Sequence, residues 1–264
     1  MNKVKFILLD LDGTLCQTGG YISPVFNQVE KQLREKGITL GIASGRNHLF
    51  IKETFPILYQ QLSCICKNGA IVFNKGKVEK VEYLGENLAK DLYEIINQIP
   101  NVQYMVHLLD STYTNITNET ILQFLKKGFN LTNKKPCNQE ILSMSLLGID
   151  DVSILDVYFD RLHPEYTLTS SGYGCIDILR KGISKKAGLL YYLDKMNITS
   201  EEVMAIGDED NDLELLEAVG YPVAMKNANE RVKRISKLIT KKECDENGCL
   251  DFIIKYFDLK VEEI

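Results

Sequence analysis

The apolar run from Val4 to Leu9 stops on Asp10-Leu11-Asp12-Gly13-Thr14-Leu15, and this junction restricts the fold of the chain more than any other segment. A short, nearly continuous apolar run suits a strand covered on both faces, as in the parallel sheets of α/β proteins. Aspartate is a poor strand residue, so a strand that stops on two of them presents their carboxylates at the carboxyl edge of the sheet, where open α/β folds take their ligands. One such carboxylate can attack as a nucleophile while the other trades protons, and the pair can hold a hard divalent cation. Alone, the same residues also fit an ordinary acidic turn.

The pattern repeats along the chain. Ser23-Pro24 opens a helix, with Ser as cap and Pro in the first turn; Val25, Val29 and Leu33 give it an apolar stripe and Gly37 ends it. A second strand, Ile38 to Ala43, runs into Ser44-Gly45-Arg46; a third, Cys64 to Lys67, runs into Asn68-Gly69-Ala70, and a hairpin follows around Asn74-Lys75-Gly76. From about Glu82 to Ile178 the alternation changes. Helix-like segments (Leu88 to Gln98, Thr120 to Gly128) lie among strand-like ones (Val102 to Leu108, Val152 to Phe159, Gly174 to Leu179), and no strand there ends on an acidic cluster. After Gly182 the first pattern resumes with a helix over Ser184 to Lys195, a strand over Val203 to Ile206, and Gly207-Asp208-Glu209-Asp210-Asn211-Asp212 before another helix. The expected fold is a Rossmann-like, doubly wound parallel-sheet core built from residues 1–81 and 183–264, with an inserted α/β domain at 82–182.

Composition narrows the functions open to such a fold. The 264 residues carry a net charge of -5, and no basic patch interleaved with aromatics stands out, which argues against a nucleic-acid partner. No apolar stretch reaches membrane-spanning length, and Met1-Asn2-Lys3-Val4-Lys5 leads straight into a strand, so a cytoplasmic protein is expected. The seven cysteines have neither zinc spacing nor histidine companions and read as reduced thiols. A monomer or weak homodimer is expected.

Four segments suggest one site. Asp10 and Asp12 close the first strand. At the end of the second, the hydroxyl of Ser44 and the backbone around Gly45 and Arg46 can hold a phosphoryl oxygen. Lys185, in the first turn of a helix, is a cation at the wrong end of a helix dipole and calls for an anionic partner. The Asp208–Asp212 cluster lies at another strand-to-helix turn and needs a cation or a solvated loop; its spacing is not that of a calcium-binding loop.

Asp10-Leu11-Asp12-Gly13-Thr14, Ser44-Gly45-Arg46, Lys185 and Gly207-Asp208-x-x-Asn211-Asp212 occur in the order of the four motifs of the haloacid dehalogenase superfamily. The chain most resembles its Cof-type phosphatases, which carry a large α/β cap between the second and third motifs. Asn68-Gly69-Ala70, Gly182-Ile183-Ser184-Lys185 and Asp245-Glu246-Asn247-Gly248 support the likeness, which spans nearly the whole chain. The resemblance implies a phosphatase of small phosphorylated metabolites, with sugar phosphates as the expected substrates. It implies Asp10 as nucleophile and Asp12 as general acid and then base. Mg²⁺ would be held by the Asp10 carboxylate, the Asp12 backbone carbonyl and Asp208, with Asp212 in support. Leu11, Ser44, Gly45, Arg46, Lys185 and Asn211 would cradle the phosphoryl group. A phosphomannomutase-like transfer and a catalytically silent phosphometabolite binder remain open. For the leaving group, Tyr104, His107, Tyr113, His163 and Tyr173 of the insert and His48 near the second motif are candidates, although ordinary packing is the better reading of each.

Overall fold

The structure is a computed structural model in which residues 3–126, 129–149, 155, 158–159, 165–170 and 175–262 are described. Strands β1 (Phe6–Leu9), β2 (Thr39–Ala43) and β3 (Ser63–Cys66) are followed by the hairpin β4 (Ile71–Asn74) and β5 (Lys77–Val81). The chain then builds a second sheet from β6 (Gln103–His107), β7 (Thr112–Thr114), β8 (Leu131–Thr132), β9 (Ser143–Leu147), β10 (Tyr166–Ser170) and β11 (Cys175–Arg180). It returns to the first sheet with β12 (Val203–Gly207), β13 (Tyr221–Ala224) and β14 (Leu238–Ile239). The helices in chain order are α1 (Val25–Glu35), α2 (His48–Thr54), α3 (Glu86–Ile96), α4 (Glu119–Leu125), α5 (Lys185–Met196), α6 (Leu213–Ala218), α7 (Glu230–Ile235) and α8 (Gly248–Phe257).

The first sheet has the order β14-β13-β12-β1-β2-β3-β4-β5, parallel up to β3 and closed at one edge by the antiparallel hairpin. Every residue of β1 is fully buried, because the sheet is covered on both faces: α1 packs with α8, and α5 packs with α6, which packs with α7. Burial of each of these large apolar side chains contributes roughly 1.5–3 kcal/mol, which explains why the run before Asp10 has no polar alternation. Leu9 pairs with both Ile206 and Ile42, so the tips of β12, β1 and β2 stand level. Neighbouring strands are about 4.8 Å apart, so residues far apart in sequence become neighbours at this edge.

The second sheet, of order β10-β11-β9-β6-β7-β8, has its own core in which Leu88, Leu92 and Ile96 of α3 meet Val106, Met144, Leu146 and Ile178. One sequence expectation fails here. Val152 to Phe159 reads as a strand, but its described residues, Leu155, Tyr158 and Phe159, are helical. Apolar side chains at positions i, i+3 and i+4 share one helix face, and Leu155 and Phe159 are fully buried in this core.

Candidate active site

Asp208, Asp10, Ser44 and Lys67 each follow the last residue of β12, β1, β2 and β3, four neighbouring strands, and so stand in a row along the carboxyl edge of the sheet. The strand order reverses between β1 and β12, which is where an open α/β sheet leaves its ligand crevice.

Lys185 closes the row from the side. It is the first residue of α5, whose cap Ser184 accepts from the Ala187 N–H at 3.3 Å. Its fully buried ammonium donates to Asp10 Oδ1 at 2.6 Å and to Asp212 Oδ1 at 2.7 Å, the anionic partners that a cation at a helix N-terminus requires. Burial opposes the charge, but Asp10 and Asp212 outweigh it, so this ammonium is held more firmly than that of an ordinary lysine. Asp212 is fixed in turn by the N–H groups of Asp208 at 3.0 Å and Glu209 at 3.3 Å.

Carboxylate oxygens of Asp10, Asp208 and Asp212 lie within 4.8 Å of one another, and all three residues are buried. Three carboxylates facing one ammonium leave two negative charges uncompensated. Burial and the neighbouring Asp212 push Asp208 up to about 7. Burial, together with Asp212 and Asp208, raises Asp10 well above the carboxylate range despite Lys185. A divalent cation that favours oxygen ligands relieves this crowding, so the donor set fits one. Thr14 Oγ1 orients Asp208 by donating to its Oδ1 at 2.8 Å. Gly13, at φ +83°, leaves the space beside it: a Cβ there would stand 2.2 Å from Asp208 Oδ2.

Asp12 faces elsewhere. Its carboxylate receives both arms of Arg46, Nε at 2.8 Å and Nη2 at 2.7 Å, and the guanidinium lies over the Phe50 ring at 4.9 Å. The Arg46 side chain is therefore committed to Asp12, since a planar fork matches a carboxylate in two bonds at once. Ser44 is buried, and its Oγ accepts from the Arg46 N–H at 3.1 Å, which leaves the hydroxyl proton to donate outward. Leu11 and Gly45 bring only backbone to the same two turns; the Leu11 carbonyl accepts from the Cys16 N–H at 2.8 Å. Asn211 donates through Nδ2 to Asn68 Oδ1 at 3.1 Å.

Several residues with no assigned role in the sequence reading belong here. Besides Thr14, Asn227 pins the Gly13 carbonyl at 2.8 Å. Asn68 reaches across to the second sheet and donates to Asp177 Oδ2 at 2.8 Å. Asp177 also accepts from Ser145 Oγ at 2.5 Å, and Ser145 meets His107 Nε2 at 2.7 Å, while His107 Nδ1 meets Thr112 Oγ1 at 3.2 Å. The Asp245 motif has a mechanical role: both its oxygens accept from Thr18, at 2.6 Å from the N–H and 2.9 Å from the hydroxyl, and so clamp the loop after β1.

The leaving-group candidates are mostly packed. Tyr104 meets Tyr93 edge-on, Tyr113 packs against the second core, and His107 is buried in the chain just described, kept neutral by burial and by Lys67. His48 is buried at the start of α2 with Nε2 3.7 Å from Asp110. His163 and Tyr173 lie outside the described residues. A cavity of about 560 Å³ adjoins the row, lined by Lys185, Asn211 and Asn68 on one side and Thr167 and Thr169 of β10 on the other.

Comparison with known proteins converges on one family. A 5-amino-6-(5-phospho-D-ribitylamino)uracil phosphatase of Bacillus subtilis is 27% identical over 97% of this chain and 99% of its own. A solved structure from Streptococcus mutans superposes with a TM-score of 0.88 at 30% identity, covering 97% of this chain and 99% of that one. A haloacid dehalogenase-like hydrolase of B. subtilis superposes with a TM-score of 0.82 at 26% identity, covering 95% and 99%. The family profile of haloacid dehalogenase-like hydrolases matches residues 7–253, from the second residue of β1 into α8, and the chain belongs to that family.

Proposed function

We propose that this protein is a Mg²⁺-dependent phosphatase of small phosphorylated metabolites, sugar phosphates foremost, acting through an aspartyl-phosphate. The observation that carries the reading is the separation of two aspartates from one turn into two environments. Asp10 is buried in the acidic cluster with Lys185, and Asp12 is turned onto Arg46.

Asp10 is the nucleophile. As its Oδ–P bond forms, the ester P–O bond breaks, and Asp12 gives the departing oxygen its proton. Water then attacks the aspartyl-phosphate, Asp12 takes the water's proton, and Asp10 is released with inorganic phosphate. Arg46 steadies the carboxylate that Asp12 becomes between these steps. Lys185, Ser44, Asn211 and the backbone at Leu11 and Gly45 offer donors for the phosphoryl oxygens, whose negative charge would otherwise repel Asp10. Asp10 and Asp208 would hold Mg²⁺ with the Asp12 carbonyl, and Asp212 would support them; when bound, the metal neutralises the carboxylates and orients the phosphoryl group.

Residues 82–182 are assigned the role of a cap that covers the leaving group, while 1–81 and 183–264 carry the chemistry. Hydroxyl and amide groups of Thr167, Thr169, Asn68 and Asn211 around the cavity support a polyhydroxylated leaving group.

Inorganic phosphate release with Mg²⁺ across a panel of sugar phosphates, without any bisphosphate activator, tests the proposal, with Asp10→Asn as control. Release by the parent protein and none by Asp10→Asn is expected. No release from any substrate, or equal release by the variant, would refute it.

A further inference from the structure

Lys67 has no part in the chemistry above, yet it is one of the more constrained residues of the molecule. It directly follows β3 in the row that holds Asp208, Asp10 and Ser44, and it is 95% buried by its 5% relative exposure. Its backbone takes the left-handed conformation at φ 49°, and so does Asn68 at φ 50°. A long side chain rarely adopts that conformation, which costs of order 1 kcal/mol. The strained turn is anchored by two bonds to the second motif: the Lys67 N–H donates to the Arg46 carbonyl at 2.9 Å and the Asn68 N–H to the Ser44 carbonyl at 3.1 Å.

The side chain leaves the first sheet and reaches the second. Its ammonium stands 5.1 Å from the centre of the Phe129 ring, which itself stacks on His107. The charged or titratable groups around it are Asp177 and Cys175 on β11, Arg46 after β2, Cys66 on β3 and His107 on β6. Arg46 is committed to Asp12, and Asp177 receives Asn68 and Ser145. Among the described residues the Lys67 ammonium has an aromatic face but no hydrogen-bond or ion-pair partner. An ammonium so largely removed from water, with no anion bonded to it, favours an anionic acceptor over a neutral one. An acceptor for it would stand at the junction of the two sheets, near Arg46 and so near Asp12, the residue that protonates the leaving group.

We propose that Lys67 determines specificity by binding an anionic oxygen, a carboxylate, on the leaving group of the phosphorylated substrate. This rests on the phosphatase reading given above and adds a substrate class to it: phosphorylated sugar acids and hydroxy acids over the corresponding polyol phosphates. A carboxylate matches the site better than a hydroxyl, because it compensates the charge as well as accepting the bonds. Phe129 closes the other side of the ammonium against water.

The test uses matched pairs that differ only by carboxylate against hydroxymethyl, 3-phosphoglycerate with glycerol 3-phosphate and 6-phosphogluconate with glucitol 6-phosphate. p-Nitrophenyl phosphate is the substrate without such a group. Lys67→Met keeps the length of the side chain and removes the charge. The parent protein should favour the acid of at least one pair in kcat/KM. Lys67→Met should lower that preference roughly ten- to a hundred-fold, as expected for loss of a charged hydrogen bond, with p-nitrophenyl phosphate turnover falling by less. Burial pushes Lys67 down to about 8, against the pull of Asp177. KM for the acid should therefore rise as pH climbs through 8, where the ammonium loses its proton, and Lys67→Arg should remove that rise while keeping the preference. An acid-to-polyol ratio unchanged by Lys67→Met, or a loss shared equally by both members, would overturn the assignment. Silence toward p-nitrophenyl phosphate would instead count against the catalytic reading. Equilibrium binding of the same pairs would then decide on Lys67, since tighter binding of an acid that disappears in Lys67→Met supports it and equal binding refutes it.

Discussion

Replacing Lys185 with methionine tests whether the catalytic row is held together electrostatically. Methionine fills nearly the same volume, so the change isolates the charge. The ammonium donates at 2.6 Å and 2.7 Å to two buried carboxylates, and removal of one partner from a buried ion pair costs about 3–5 kcal/mol. At about 2–4 °C per kcal/mol for a chain of this size, Tm should fall by roughly 6–20 °C. The size of the fall should depend on pH. A lysine whose folded pKa is raised contributes fully below its unfolded value near 10.4, so the contribution of Lys185 itself is constant between pH 5 and 8. Asp10 and Asp208 are already raised in the parent protein, and Lys185 is a cause that lowers both. Without it they rise further, and the folded variant binds more protons than its unfolded chain. Its stability is then lost as pH rises through those higher values. Thermal denaturation in chelator should thus show a larger gap between parent and variant at pH 8 than at pH 5, and Mg²⁺ should restore part of the loss at pH 8. An equal gap at both pH values, or none, would refute the charge argument.

Asp12→Asn should reduce turnover by about 10²–10⁴-fold, the range for a lost general acid and base, with Mg²⁺ binding by calorimetry left near that of the parent, because the Asp12 side chain faces Arg46 and not the acidic cluster. Asp208→Ala should lose metal affinity, and an equal metal defect in both variants would contradict the division of roles. Gly69→Ala should cost more than Gly37→Ala in thermal denaturation: both positions have positive φ, but a Cβ at Gly69 would lie 2.1 Å from the Ser184 carbonyl while one at Gly37 meets nothing within 4 Å. Equal losses would mean that the Gly69 contact with the cap of α5 yields freely.

Much of this molecule was legible because parallel sheets convert sequence order into adjacency. Four apolar runs that stop on Asp10, Ser44, Asn68 and Asp208 become four neighbouring tips, and the cation at the start of α5 finds the anions that its unfavourable helix position called for. Other features carry no such signal. The commitment of Arg46 to Asp12 depends on how two loops face each other across the crevice. The chain from Thr112 through His107, Ser145 and Asp177 to Asn68 depends on the placement of one sheet against the other. Leu155, Tyr158 and Phe159 are helical where a strand is expected, because a short apolar run satisfies both periods.

The same physics explains which residues stand out once burial is known. Lys67, Lys185, Asp10, Asp208 and Asp212 are charged, yet each is almost wholly removed from water. A fold selected for stability alone would fill such positions with apolar groups of similar volume, and a sequence pattern that ranks residues by hydrophobicity places all five at the surface. The backbone around them is tightly set: Gly13 and Gly69 are held at positive φ against Asp208 and the α5 cap, and Asn68 and Lys67 share the left-handed conformation. Asp10 and Asp208 are raised and Lys67 is lowered, each toward neutrality by burial, while Lys185 is raised by paired anions. Three carboxylates share the one ammonium of Lys185, and Lys67 has no ion-pair partner among the described residues. A cation at Asp10 and Asp208 and an anion at Lys67 would each supply a counterion. A phosphorylated acid arriving with Mg²⁺ satisfies both demands at once, so substrate and metal should each raise the Tm of the protein, and together by more than the sum of the two.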